Sequence, residues 1–131
     1  MALGAEGGQI GTLFALTKES SASEAFKQRC LSIAEGDTML CLKKISPTRM
    51  IKNELYQRIA EAENRGAEVD ELREILGKAA SKRGIFEGDV ENGEIEIGQI
   101  TSAVCEIKSV DEVFRDLLKE WKEALRRIHS L

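Results

Sequence analysis

The sequence has little that could serve a membrane, an export route or a metal. No apolar run approaches the roughly 18–20 residues of a membrane span. The opening Met1-Ala-Leu-Gly-Ala-Glu-Gly-Gly8 has neither the basic region nor the long apolar stretch of a signal peptide. Positive charge is short: 19 basic against 23 acidic side chains leave a net charge of -4, so a nucleic acid finds no electrostatic hold. The three cysteines, Cys30, Cys41 and Cys105, make no CxxC pair. That speaks against a zinc site or a disulfide framework and favours a reducing, cytoplasmic setting. All three are expected to be buried as small apolar residues. The one histidine, His129, lies at the end of the last expected helix. It reads as a solvent-exposed residue favoured by a helix C-terminus rather than as a general base. No internal repeat is present.

What remains is a chain of 131 residues, 42% apolar and 32% charged, which suits one modest globular domain. Residues 3–16 read as a short buried strand and a turn, punctuated by Gly4, Gly7, Gly8 and Gly11. Glycines this dense let a backbone bend sharply or approach a ligand closely. Ser21-Ala-Ser-Glu24 is a capping-box pattern that opens a helix with Ala22, Phe26, Cys30 and Ile33 inward, ended by Gly36. Thr38-Met-Leu-Cys-Leu42 suits a short buried strand, and Pro47 marks the loop after it. Asn53 caps a helix running to Arg65, with Leu55, Ile59 and Ala62 inward and Gly66 as the stop. A further helix is expected from Asp70 to about Ser81, with Leu72, Ile75, Leu76 and Ala79 inward and Gly77 a weak point.

Gly84 to Gly98 is rich in glycine and acid and cannot be one long regular element. Its Asp89-Val-Glu-Asn-Gly-Glu-Ile-Glu96 fails the EF-hand spacing and reads as a solvated loop. A short helix is expected from about Gln99 to Ile107. Ser109-Val-Asp-Glu112 is a second capping box, opening a helix with Val110, Val113, Phe114, Leu117, Trp121, Leu125 and Ile128 at helical spacing. The first strand has no evident sheet to join, although a buried parallel strand needs neighbours. Further sequence upstream is therefore expected.

Ala2-Leu-Gly-Ala-Glu-Gly-Gly-Gln-Ile-Gly-Thr-Leu-Phe14 resembles the segment that closes the phosphate site in nitronate monooxygenases, formerly called 2-nitropropane dioxygenases. The resemblance continues, in order, through Glu19 to Lys27, Glu35-Gly-Asp-Thr38, Phe86 to Gly93 and Ile97-Gly-Gln-Ile100. The first motif is the most specific, because its glycines and a Gly-Thr pair fall at fixed positions. The resemblance implies an α/β fold, namely the C-terminal part of an FMN-binding TIM-type (βα) barrel. This piece is expected to be mainly helical with one or two short strands. Residues 1–36 would hold the last phosphate-loop strand and helix, and residues 37–131 a helical C-terminal extension.

The same resemblance implies FMN as cofactor, and alkyl nitronate and oxygen as small-molecule reactants. Such barrels commonly hold a phosphate between their last two strand-to-helix loops. By position, Gln9, Gly11 and Thr12 would contact the FMN phosphate, and Gly98 and Gln99 match a late Gly-Gln motif near the flavin. Departures are visible. Gly8 stands for the usual valine, Leu13 for the usual arginine after Gly-Thr, and Ser23 where relatives often have histidine. The family's Gly-Gly-His segment, which carries the catalytic histidine, has no match here, so this chain alone is expected to be inactive. Alternative readings are a relative of the flavin-dependent enoyl-acyl-carrier-protein reductases, which share the barrel, or a non-catalytic helical module that forms a homo-oligomer.

Overall fold

The computed structural model describes residues 4–130, apart from the side chain of His129. The chain is mainly helical, with two short strands. In order come α1 (Thr12–Ala15), α2 (Glu24–Leu31), β1 (Thr38–Cys41), β2 (Thr48–Ile51), α3 (Glu54–Asn64), α4 (Val69–Leu76) and α5 (Val110–His129). A π-helical turn spans Lys82–Phe86 and a 3-10 turn spans Gln99–Ala103. Among the described residues, no helix is long and apolar enough to cross a membrane.

Local signals set most helix ends. Asn53 caps α3 by accepting from the Tyr56 amide at 3.0 Å, and Gly66 stops it at a φ of +84° that other residues resist. Leu55, Ile59 and Ala62 all point inward and are fully buried. Ser109 and Glu112 form the expected capping box of α5 in both directions. The cap of α2 is Ser23, whose hydroxyl accepts from the Phe26 amide, and not Ser21 as the box pattern suggested. Ser20 instead takes the Ala22 amide, which closes the preceding turn.

One of the two strands sits where the sequence indicated and the other does not. Thr38–Cys41 forms a strand, though not a fully buried one, since Met39 and Leu40 are exposed; its antiparallel partner is Thr48–Ile51, with Thr38 opposite Ile51 and Cys41 opposite Thr48. The other edge of β2 receives the acid-rich segment: the Ile51 amide donates to the Ile95 carbonyl and the Ile97 amide to the Arg49 carbonyl. Ile95, Ile97 and Glu94 are consequently buried, so the stretch read as a solvated loop is partly core. Glycine makes that docking possible. A Cβ on Gly93 would lie 2.4 Å from the backbone of Gly84, and one on Gly84 2.5 Å from the Glu94 carbonyl oxygen.

The strand expected over residues 3–16 does not form among the described residues. Residues 4–11 are irregular and exposed, and α1 follows them. A strand needs hydrogen-bonding neighbours, and the only described sheet is the β1–β2 pair. Residues 1–3, where that expectation begins, lie outside the described residues. The helix expected to about Ser81 ends at Leu76, because Gly77 adopts φ +71°; Ala80 rather than Ala79 is then the buried alanine. The short helix after Gln99 closes as a 3-10 turn at Ala103.

Three apolar clusters hold these pieces. Leu16, Phe26, Cys30, Ile33, Ile51, Ile95 and Ile97 join α2 to the sheet and the acid-rich segment. Cys41, Leu42, Met50, Leu55, Ile59 and Ala80 pack α3 on the hairpin, and Ala62, Ala67 and Leu72 pack α4 on α3. Each fully buried large side chain contributes about 1.5–3 kcal/mol. Helix α5 is different: Val113 is buried, but Phe114, Leu118, Trp121 and Ile128 are 44–52% exposed. Its N-terminal part is tied to α1 by Phe14 and Phe114, with ring centroids 5.2 Å apart. Cys105, expected inside, is exposed in the link between the 3-10 turn and α5, while Cys30 and Cys41 are buried.

Candidate functional site

Two turns far apart in sequence meet at Thr12. The chain leaves its exposed lead segment at Gly11 and enters α1, whose first return bonds run from the Ala15 amide to Gly11 and from the Leu16 amide to Thr12. Those bonds do not use the amides of Thr12, Leu13 and Phe14. A Cβ at Gly11 would meet nothing within 4 Å, so its backbone is open to an approaching group. From the far end of the chain, the Gly98 amide donates to Thr12 Oγ1 at 3.0 Å, across 86 positions. A Cβ on Gly98 would stand 2.5 Å from that oxygen. Threonine is stiff at χ1 and cannot swing away freely, so the contact requires glycine at 98.

The turn behind Gly98 is fixed by Thr101, whose hydroxyl donates to the Gly98 carbonyl at 2.6 Å and which is fully buried. Thr12 Oγ1 therefore accepts one bond from a rigid turn. A hydroxyl also carries one proton to donate, and among the described residues no acceptor takes it. This leaves Thr12 half-buried, oriented, and with a donor to spare.

Gly11 and Thr12 line two clefts. One is lined by Gly11, Thr12 and Gly98 together with Arg49, Glu96 and Ile97. The other holds Gln9, Gly11, Thr12 and Leu13 against Ile100 and Leu117. Of the five residues expected at a cofactor, the fold thus gathers Gln9, Gly11, Thr12 and Gly98. Gln99, the exposed first residue of the 3-10 turn, lines neither cleft. Leu13 gives the second cleft an apolar wall where the family pattern has arginine. Sequence reasoning missed Arg49 and Glu96. Arg49 lies in the β1–β2 hairpin opposite Leu40, and Glu96 reaches the same edge through a long-range bridge to Met50.

Charge around the site is mixed. Arg49 is half-buried, with Nη1 donating to the Thr38 carbonyl at 3.2 Å and to Thr38 Oγ1 at 3.1 Å. Glu96 is exposed, and no ion pair joins it to Arg49 among the described residues. No thiol nucleophile serves the clefts: burial pushes the Cys30 and Cys41 thiols up to about 12, so both stay protonated at neutral pH. At the start of α5, Glu112 is held down to about 2 by the Ser109 amide and hydroxyl and by Lys18. The arrangement offers hydrogen-bond donors, an open backbone and one cation. Such donors can hold an anion, and each cleft also carries a carboxylate, Glu96 in one and Glu120 in the other.

The family model for nitronate monooxygenase matches residues 1–120. FabK from Thermotoga maritima superposes with a TM-score of 0.88 and 31% identity, over 98% of this chain and 41% of the FabK chain. A point mutant of the same FabK gives a TM-score of 0.81 and 29% identity, over 98% of this chain and 38% of the other. No curated protein sequence matches significantly. The chain spans about two fifths of the FabK it matches. With a family match over 120 of its residues, the chain belongs to the nitronate monooxygenase family.

Proposed function

We propose that this chain supplies one wall of an FMN phosphate site in a flavin-dependent oxidoreductase. The observation that carries the reading is the Gly98-to-Thr12 bond, which joins two separate family motifs at one hydroxyl. The donor set fits a phosphate monoester: the Thr12 hydroxyl proton is uncommitted, and the Gly11 backbone faces open space. Gly11 and Thr12 would hold the phosphate, Gly98 would orient Thr12, and Gln9 would face the cofactor across the second cleft. Bound FMN supplies two-electron chemistry to a small-molecule substrate; the residues here bind and orient, and the proton-transferring group belongs to sequence outside this chain.

The family match favours oxidation of an alkyl nitronate by oxygen. A second reading, reduction of an enoyl-acyl carrier protein, is favoured by the likeness to FabK. Native mass spectrometry of the protein from its source, followed by turnover assays, separates them. One FMN per chain with oxygen uptake on adding a nitronate supports the first. FMN with nicotinamide-dependent enoyl reduction supports the second. A protein that carries no flavin and takes up none contradicts both.

A further inference from the structure

We infer that Arg49 is the cationic partner of the phosphate at Thr12, an inference that rests on the FMN reading above. Arg49 lies on β2, and it lines the same cleft as Gly11, Thr12 and Gly98. Its guanidinium carries five N–H donors. Nη1 is spent on the carbonyl and hydroxyl of the buried Thr38. The remaining donors have no hydrogen bond or ion pair among the described residues. A half-buried guanidinium with unused donors favours an anion that can take two of them at once. The bonds to Thr38 hold the fork before the ligand arrives, which lowers the entropy lost on binding.

The acid in the cleft does not fill this role. Glu96 pairs its backbone with Met50 and its side chain is exposed. The element beside Thr12 offers no cation either, because position 13 is leucine. Arg49 is therefore the cationic residue of the cleft that Gly11, Thr12 and Gly98 line, and it comes from a different element than the Gly-Thr turn.

The test compares FMN with riboflavin, which lacks the phosphate, in the full-length protein prepared as apoprotein. Flavin fluorescence quenching gives both affinities without reference to turnover. Arg49→Met is expected to weaken FMN by about 10- to 100-fold, the range for losing charge-assisted hydrogen bonds, and to leave riboflavin unchanged. Arg49→Gln keeps a donor for Thr38 while removing the charge, and decides the matter if Arg49→Met fails to fold. Its FMN-to-riboflavin preference is expected to fall by a similar factor. Equal weakening of both flavins by Arg49→Gln, or of neither, overturns the inference but leaves the flavin reading standing. A wild-type protein that binds no FMN overturns both.

Discussion

Asn53 offers the sharpest test of how the fold is held. Its side chain is 3% exposed and makes three bonds at once. Oδ1 accepts from the Tyr56 amide at 3.0 Å and caps α3, while Nδ2 donates to the carbonyls of Val90 and Gly93, both at 2.9 Å. Asn53→Ala removes the cap, which costs about 1 kcal/mol. It also leaves two acceptors unpaired, at about 1–3 kcal/mol each when buried. Gly93 is buried and pays in full, whereas Val90 is half-buried and recovers water in part. The expected loss is about 3–5 kcal/mol, a large share of the roughly 5–15 kcal/mol that stabilises a domain. Asn53→Ser keeps a capping oxygen and should recover only about 1 kcal/mol of this. Asn53→Asp places a carboxylate against two carbonyl oxygens and should be no better than alanine at pH 7. Denaturant unfolding of the full-length protein, followed by circular dichroism, reads the shift in midpoint. A loss below about 1 kcal/mol for Asn53→Ala, or equal stability of the Ala and Ser variants, would refute the three-bond account.

Other predictions are simpler. Gly84→Ala drives a methyl into the Glu94 backbone and should cost about 3 kcal/mol or more, whereas Gly7→Ala meets open space and should be near neutral in thermal unfolding. A thiol-reactive dye at pH 8 should label Cys105 first and leave the buried Cys30 and Cys41, held up at about 12, unreacted until the protein unfolds. The folded-state pKa of Glu112 lies below its ordinary 4.5, so its stabilisation of the α5 start is full above that value and is lost as pH falls toward about 2. Amide exchange at the Ser109 end of α5 should therefore quicken across that window, and Glu112→Gln should remove the pH dependence.

The sequence was most informative where the deciding contacts are local. For α3, the cap at Asn53, the inward Leu55, Ile59 and Ala62 and the stop at Gly66 lie within one short stretch, and all were read correctly. The same holds for Ser109 and Glu112 at α5. Strand β2 was illegible because Thr48–Ile51 follows Pro47 and is defined by partners on β1 and at residues 95–97. The burial of Glu94 and Ile95 was hidden for the same reason. In α5 the apolar stripe announced a helix, but periodicity does not say what covers each face. At the candidate site, Gly11, Thr12 and Gly98 were legible only through the family pattern. Arg49 was not, since nothing local tells an exposed strand arginine from one turned into a cleft.

The account rests most directly on the Thr12 hydroxyl, so its decisive measurement is the FMN affinity of the full-length Thr12→Val protein against wild type. Valine keeps the shape and removes the hydroxyl, which forfeits one charge-assisted bond of about 1.5–3 kcal/mol. The expected result is FMN binding weakened by at least about tenfold, with riboflavin affinity retained. Unchanged FMN affinity in Thr12→Val would contradict the placement of the phosphate at this turn.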